Sequence, residues 1–546
     1  MSFEIQFIRN LFFLIFTFYF LTGCTTNQSS NKQIFRYNES TGIATLDPAF
    51  AKNQSIIWAI HQLYNTLIET DDSLHLRPSL AKSWDISADK KTYIFHLRND
   101  VFFQDNECFA NSKGRKMTAA DVVYSFNRIT DPATASSGAW IFNKRVDAVE
   151  PFKALDDTTF QLKLLKPFNP ILGIISMQYC SVVPHEAVEK YGKDFRRHPC
   201  GTGPFEFVDW EEGLAMTMKK NSHYWEKDSV GKPLPYLDGI KISFLDSKAA
   251  EFLNFRQKKL DFINDIDQSF KDEILTKNGV LKKDWVDKII LQKMPYLNTE
   301  YLGILVDSTN PLVANSPLRL KKIRQAINYA IDKPKMMLYL RNSIGVAAVN
   351  GFTPMGLPSF DTAVKGYDFN PILAKQLLAE AGFPNGKNLP AIHLLTIPIY
   401  SDLGSYVASQ LTEAGIPVQV EVIQKSLLLE QTSKSEATFF RGSWMGDYPD
   451  AENYFAVFYG GNPAPPNYTR YKNASFDALY EKALTETNDS LRYILYHKMD
   501  EQIIADAPVV PLWYDVAIHL VQPNVKGFVP NGLNVLELRR TYFVGK

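Results

Sequence analysis

Apolar and polar residues follow helix and strand periodicities in turn along the chain. Residues 92–97 place apolar side chains at every second position, which is typical of a β-strand. Further on, Thr118 and Asp121 have the spacing of a helix-capping box, and Val122 and Phe126 predict an amphipathic helix after it. The pattern therefore predicts a mixed α/β protein.

A strand–helix–strand unit is predicted near residue 400. Residues 393–397 and the alternating valines at 418–422 predict two strands, and residues 403–414 predict a helix that Gly415 ends. Two strands joined through one helix run parallel, so at least one lobe contains parallel sheet. The pairs Ser316-Pro317 and Asn370-Pro371 predict two further helix starts, the first with Arg324 facing water.

The most apolar stretch lies near the beginning of the chain. Arg9 precedes residues 11–20, which are too few to cross a bilayer, since a span needs about 20 residues. The stretch has the length of a signal-peptide core and leads into Leu21-Thr22-Gly23-Cys24. This segment resembles the lipobox of bacterial lipoproteins. The resemblance implies a signal peptide at 1–23, acylation of Cys24 and a polar tether at 24–32, whereas an ordinary signal peptide with an incidental Cys24 is the alternative.

Composition excludes several classes of protein. Lys and Arg number 59 and Asp and Glu number 59, so the net charge is zero and nucleic acid is a poor partner. Hydrophobic residues make up 45% and charged residues 22%, as in soluble globular proteins. A length of 546 residues indicates several lobes rather than one core.

Motifs for catalysis, metals or cofactors are absent from the sequence. His185 and Glu186 begin no HExxH pair, no GxSxG motif is present, and the 9 histidines are scattered. The sequence therefore predicts no metal, no cofactor and no enzyme. A lipid-anchored hydrolase and a structural or adhesive lipoprotein are distant alternatives.

Three cysteines follow Cys24, namely Cys108, Cys180 and Cys200. An odd number in an oxidising compartment leaves one thiol unpaired. Cys180 and Cys200 are close in sequence, and closing a loop of that size would stabilise the fold by roughly 3 kcal/mol. We therefore predict a Cys180–Cys200 disulfide and a free Cys108.

Eight ordered blocks resemble the hallmark segments of the dipeptide/oligopeptide-binding proteins of ABC importers, which form solute-binding protein family 5. Two of them read TAADVVYSFNR and WMGDYPD. The blocks lie at residues 80–85, 92–98, 118–128, 201–205, 221–225, 324–332, 444–450 and 508–512. The resemblance covers about residues 33 to 546.

The resemblance implies a periplasmic-binding-protein fold of type II, an α/β fold with two lobes, three domains, mixed sheets and a hinge. Ligand would be buried between the lobes, and the chain would cross the hinge near Tyr296 and Tyr514. Laid on this sequence, the expected boundaries are 33–64, 185–294 and 515–546 for lobe I, 65–184 for an inserted domain packed on lobe I, and 296–514 for lobe II.

The resemblance also implies a recognition segment around Trp444, Met445 and Gly446. In peptide-binding members an Asp three residues after the Trp pairs with the ligand's α-ammonium, and Asp447 has that position. Arg441 matches an Arg that in some members binds the ligand's carboxylate. The alternative is a polar turn in which Arg441 forms a local ion pair.

Some positions depart from the family pattern. Lys52, near Gln54, replaces an acidic residue that assists the ammonium site in oligopeptide binders, and it could instead receive a carboxylate. A ring that contacts the peptide backbone is replaced by Gly138, with Trp140 nearby. Metal chelates, haem and oligosaccharides therefore remain open as ligands.

The function that follows is capture of short peptides between the lobes and delivery to an ABC permease and ATPase. The expected protein is a monomer of the cell envelope, held at a membrane through Cys24 alone and facing the periplasm or the cell exterior.

Overall fold

The computed structural model describes residues 32–545, apart from the side chain of Gln268. The predicted signal peptide, Cys24 and nearly all of the predicted tether lie outside the described residues. Within residues 32–545, no helix is both long enough and apolar enough to cross a bilayer. The described chain forms a two-lobed α/β fold with three main sheets.

The first sheet has four strands in the order β1-β10-β9-β8. Its edge strand β1 runs parallel to β10, although the two strands are far apart in sequence. The bounds are β1 Ile34–Asn38, β8 Phe205–Glu211, β9 Ala215–Lys220 and β10 Gly239–Ser243.

The second sheet is antiparallel, in the order β4-β5-β7-β6. The strands are β4 Ala81–Ile86, β5 Thr92–Leu97, β6 Phe152–Asp156 and β7 Thr159–Lys163. The prediction of a strand at 92–97 is confirmed by β5. The predicted capping box is also present, because the side chains of Thr118 and Asp121 cap the helix that begins at Ala119.

The third sheet has seven strands, in the order β11-β17-β12-β16-β14-β15 with β13 beside β17. The two long central strands β12 and β17 pair antiparallel. The predicted strand–helix–strand unit is confirmed, since β14 and β15 are parallel. The strands are β11 Phe262–Asn264, β12 Ile290–Ile304, β13 Val346–Ala347, β14 Ile392–Thr396, β15 Val418–Val422, β16 Phe439–Met445 and β17 Val509–Val521.

Short strand pairs and helices complete the described fold. The pairs are β2 Ile68–Thr70 with β3 Leu76–Pro78, and β18 Val525–Lys526 with β19 Tyr542–Phe543. The α-helices are α1 Gln54–Leu63, α2 Ala119–Thr130, α3 Ile171–Ile174, α4 His185–Tyr191, α5 Lys248–Arg256, α6 Gln268–Ile274, α7 Pro311–Ala314, α8 Lys321–Ala330, α9 Lys333–Arg341, α10 Pro371–Glu380, α11 Ser401–Glu413, α12 Lys425–Ser433, α13 Glu452–Phe455, α14 Ala474–Thr485 and α15 Asp489–Asp506.

The helix predicted to start at Pro317 begins later. Pro317–Arg319 forms one 3₁₀ turn, and α8 follows at Lys321. Arg324 does not face water as predicted. It is buried and donates to the carbonyl oxygens of Leu318 (2.9 Å) and Asp506 (2.7 Å). These acceptors satisfy the buried guanidinium, and no local sequence pattern indicates them.

The predicted disulfide is not formed in the structure, in which Cys108, Cys180 and Cys200 are all free thiols. Cys180 is buried and its sulfur lies 4.0 Å from the carbonyl oxygen of Ile174. Cys200 interacts instead with Cys108. Sequence proximity was a poor guide, because the fold brings a more distant cysteine beside Cys200.

His519 on β17 gives the fold a pH dependence. Its Nε2 donates to Asn534 Oδ1 at 2.9 Å, and Nδ1 is buried without a hydrogen-bond partner among the described residues. Burial lowers the pKa of His519 from 6.5 to about 4. Between pH 6.5 and pH 4 the imidazole is therefore protonated in the unfolded chain but not in the folded protein. The contribution of the neutral, buried His519 to stability is fully present above pH 6.5 and is lost as the pH falls towards 4.

Replacing His519 with glutamine is expected to flatten the acid loss of stability, because the protonating group is removed while a donor to Asn534 is kept. Urea denaturation at pH 7 and pH 5 measures how much the free energy of unfolding falls between these two pH values. His393→Gln is the matched control, since His393 is exposed. Equal pH slopes in wild type and His519→Gln would contradict the assignment.

Candidate ligand-binding site

The main cavity of the described fold has a volume of about 540 Å³. It lies between α1, the loop after β2, and the segment that follows β16. Predicted site residues on its walls are Lys52, Gln54, Trp140, Met445, Gly446 and Asp447. The structure therefore brings together six of the predicted ligand contacts, although they are far apart in sequence.

Asp447 provides a carboxylate on the cavity wall. The side chain of Asp447 is accessible from the cavity. Desolvation by the surrounding protein nevertheless raises its pKa, and a hydrogen bond from Asn453 opposes this shift. Among residues 32–545, no Lys, Arg or His forms an ion pair with Asp447, whose charge is thus left for a ligand.

Asn453 connects Asp447 to Trp444. Trp444 Nε1 donates to Asn453 Oδ1 at 3.0 Å, and the amide of Asn453 donates to Asp447. Trp444 itself does not line the cavity; it fixes Asn453, which orients the carboxylate. Asn453 lies on the short helix α13 and is buried, and no motif in the sequence indicates its role.

Gly446 lets the chain pack closely against Tyr454 just before Asp447. Its backbone N–H donates to the carbonyl oxygen of Leu297 at 2.7 Å, which ties the segment to β12. A Cβ at this position would lie 2.7 Å from Tyr454 Oη, a distance that side chains do not tolerate. Glycine is therefore required by the close approach of Tyr454.

Aromatic and thioether side chains form another part of the wall. Desolvation raises the pKa of Tyr179, and the charge of the nearby Asp447 adds to this shift. A hydrogen bond from Ser137 acts in the opposite direction. Tyr296 donates to the sulfur of Met445 across the cavity wall. Trp140 is 37% exposed and presents a ring that a ligand can stack against.

Arg441 does not line the cavity. Its guanidinium pairs with Glu300 on the adjacent strand β12 and lies 4.0 Å from the ring centroid of Tyr400. Both partners of the ion pair are largely buried, with side-chain exposures of 12% and 4%. The expected contact of Arg441 with a ligand carboxylate is therefore not supported, and the ion pair that forms is with a residue far away in the sequence rather than with one in a local turn.

Lys52 and Gln54 enter the cavity from the start of α1. Lys52 is exposed and forms no ion pair within the described part of the chain. Gln54 accepts a hydrogen bond from Asn264 Nδ2 at 3.1 Å, which fixes its side-chain oxygen. Lys52 is the uncommitted cation of this cavity.

A buried ion network forms another part of the cavity wall. Arg539, only 4% exposed, donates to Glu69 (3.0 Å), Glu226 (2.6 Å) and Glu537 (2.6 Å). Burial would raise the pKa of Glu537, but Arg539 and His61 outweigh it and hold the pKa well below its ordinary value. No sequence pattern indicates this network, whose members come from three separate segments.

His61 lines the cavity beside this network. Its Nε2 lies 3.0 Å from Glu537 Oε2, and its Nδ1 lies 2.9 Å from the amide nitrogen of Gln178. Both ring nitrogens are therefore committed to protein partners.

A second cavity of about 450 Å³ lies beside Trp513. Lys271 and Arg341 line it, and neither forms an ion pair among the described residues. Burial lowers the pKa of Lys271, and Arg341 stacks 5.1 Å from the Trp513 ring centroid. This cavity offers cations but has no residue in common with the first.

One cluster has metal-ligand geometry, formed by Asp121, His185 and Glu186. The guanidinium of Arg115 bridges its two carboxylates, at 2.6 Å from Asp121 and 2.5 Å from Glu186. A cation of the protein therefore already neutralises the cluster.

A cavity with a carboxylate, an amine and aromatic walls is typical of proteins that bind small solutes. The chain belongs to a family of these proteins, described as bacterial extracellular solute-binding proteins, family 5 Middle, which matches residues 75–466. Members of family 5 are periplasmic or extracellular binding components of ABC importers, and the relatives are binding proteins rather than enzymes.

Individual relatives cover nearly the whole chain. Heme-binding protein A of Haemophilus influenzae is 28% identical, over 93% of this chain and 92% of that protein. Dipeptide-binding protein DppE of Bacillus subtilis is 25% identical, over 95% and 96% respectively. The solved structure of HbpA2 from Haemophilus parasuis has a TM-score of 0.82 at 24% identity, covering 94% of this chain and 100% of that one, which shows a common fold.

Proposed function

We propose that this protein captures short peptides in the cavity beside Asp447 and delivers them to an ABC permease and ATPase. The observation that carries the proposal is the carboxylate of Asp447, which faces the cavity, is oriented by Asn453 and has no cationic partner among residues 32–545. An α-ammonium removed from water needs such a partner, and a charge-assisted hydrogen bond is roughly twice as strong as a neutral one.

The size and walls of the cavity suit a short peptide. Its volume of about 540 Å³ falls within the usual range for small-ligand sites, roughly 300–1,000 Å³. Trp140, Tyr179 and Met177 give side chains apolar contact without a shape that selects one residue type. Recognition through peptide termini and backbone, with loose side-chain selectivity, follows.

Lys52 is the proposed partner of the peptide's carboxylate, because it lines the same cavity and its charge is unpaired. Replacing Lys52 with glutamine should weaken tripeptide binding by about 1–2 kcal/mol, the low end for a charged hydrogen bond at an accessible site. Calorimetry with a tripeptide and its C-terminal amide checks this, since the amide should bind both proteins equally.

Arg341→Gln is the control for that experiment, because Arg341 is an unpaired cation of the second cavity. Loss of affinity in Arg341→Gln but not in Lys52→Gln would mean that the peptide extends into the second cavity and that Lys52 has no role.

Native mass spectrometry of the protein as purified tests the ligand class. A distribution of bound masses that fits di- to pentapeptides supports the proposal. A single bound mass with no amino-acid composition would replace it with a non-peptide solute.

Haem is the second candidate. Tyr179, Tyr296, Met177 and Met445 all line the cavity and are residue types that bind haem iron or its ring, and a relative with 28% identity is named a heme-binding protein. His61 is a poor axial ligand, since both of its nitrogens are engaged. Titration with haemin decides: a saturable Soret shift that tripeptide does not reverse would favour haem.

The proposed site of action is the cell envelope. Acylation of Cys24 would hold the protein within reach of its permease by lipid alone, and opening of the two lobes would release ligand there.

A further inference from the structure

Cys108 and Cys200 lie together although 92 positions separate them in the sequence. The backbone N–H of Gln104 donates to the carbonyl oxygen of Gly201 at 2.9 Å, which brings the two chain segments side by side. The sulfur of Cys200 lies 3.6 Å from the carbonyl oxygen of Gln104. Cys200 is buried in an apolar cluster against which Cys108 packs, and each thiol shifts the pKa of the other.

The loop that carries Cys108 is held firmly against α4. Asn106 Oδ1 accepts from the backbone N–H of Cys108 at 2.9 Å and from Tyr191 Oη at 3.0 Å. Lys190 Nζ donates to the carbonyl oxygen of Glu107 at 2.7 Å. These contacts keep the Cys108 thiol beside Cys200 in the folded protein.

The two thiols differ in reactivity. Cys108 is partly exposed, and the hydrogen bond from Cys200 lowers its pKa, with a smaller contribution from the charge of Lys190. Cys200 is buried, and the same hydrogen bond together with desolvation raises its pKa. A partly exposed thiol with a lowered pKa beside a buried thiol is the arrangement of an attacking and a resolving cysteine.

We propose that Cys108 and Cys200 are a thiol–disulfide exchange pair that reacts with small disulfides and closes to an intramolecular disulfide. The Cys108 thiolate attacks one sulfur of the small disulfide, whose S–S bond breaks and releases one thiolate. Cys200 then gives up its proton and attacks the Cys108 sulfur, which releases the second thiol. The protein dithiol is oxidised by two electrons, and the small disulfide is reduced to two thiols.

The bond joins the loop after β5 to the segment 200–203. Gly201 and Gly203 pack so closely on the end of α1 that a Cβ on either would lie under 3 Å from the backbone of Leu63. Because α1 forms one wall of the cavity, the disulfide stabilises the segment that supports the ligand site. Oxidised protein should therefore unfold several degrees higher than reduced protein.

Glutathione disulfide tests the pair. Reduced, purified protein is exposed to it, quenched by alkylation and digested without reduction. We expect a crosslinked peptide pair containing Cys108 and Cys200, with Cys180 alkylated as a free thiol. Cys200→Ala should instead hold glutathione on Cys108, whereas Cys108→Ser should leave Cys200 unmodified.

Cys180→Ala is the matched control, since Cys180 is equally buried but has no cysteine beside it, and it should oxidise as wild type does. Circular dichroism confirms that each variant is folded. A crosslink containing Cys180, two alkylated thiols at Cys108 and Cys200 in folded wild type, or no adduct on Cys108 in folded Cys200→Ala would each overturn the proposal.

Discussion

Replacing Asp447 with asparagine is expected to weaken peptide binding by about 2–4 kcal/mol, roughly 30- to 700-fold, because a desolvated ammonium loses its partner charge. The substitution keeps the size of the side chain and leaves Asn453 with an oxygen acceptor. Calorimetry with a tripeptide measures the loss, and the thermal unfolding of the ligand-free protein should change little.

Asp72→Asn is the control, because Asp72 is another carboxylate of this cavity with no ion-pair partner among the described residues. Desolvation and the charge of Glu537 raise the pKa of Asp72, whose charged neighbours belong to the Arg539 network rather than to the Asp447 segment. Its replacement should change peptide affinity less than threefold. Equal losses in the two variants would mean that the cavity attracts cations generally and that Asp447 is no anchor.

Replacing Arg539 with methionine is expected to destabilise the protein by about 3–5 kcal/mol, because Glu69, Glu226 and Glu537 lose the most buried of their cations. The partners that remain, Arg77, Arg540 and His61, are more exposed than Arg539. Methionine fills much of the space, so the loss comes from charge rather than from a cavity. The free energy of unfolding from urea titration, followed by tryptophan fluorescence, measures it.

An exposed arginine provides the comparison for Arg539. Arg196 shares Glu212 with Arg197 and has a side-chain exposure of 39%, so Arg196→Met should cost at most about 1 kcal/mol. If the free energies of unfolding of Arg539→Met and Arg196→Met differ by less than about 1 kcal/mol, the network contributes no more to stability than a surface ion pair.

Local signals in the sequence predicted much of the fold. The period-2 pattern gave β5, the Thr118 capping box gave α2, and the valines at 418–422 gave the parallel pair β14 and β15. These features depend on neighbouring residues, whose spacing is visible in the chain. The resemblance to a family then predicted Asp447, Met445 and Lys52 as site residues, and the structure places all three on the wall of one cavity.

Features built from distant segments escaped sequence analysis. Glu69 and Arg539 are 470 positions apart, and no periodicity relates them. The same holds for Arg441, whose partner Glu300 comes from a strand that pairs with β16 only in the folded chain. The predicted Cys180–Cys200 bridge failed for this reason, since nearness in sequence does not fix nearness in space.

The central claim, that Asp447 anchors a peptide ammonium, is tested most directly by combining a change in the ligand with a change in the protein. The affinities of wild type and Asp447→Asn are measured by calorimetry for a tripeptide with a free amino terminus and for its N-acetyl derivative. The account predicts that acetylation weakens binding to wild type at least 30-fold but changes binding to Asp447→Asn less than threefold, a coupling of at least about 1.4 kcal/mol between the two groups. Acetylation that weakens both proteins equally would contradict it.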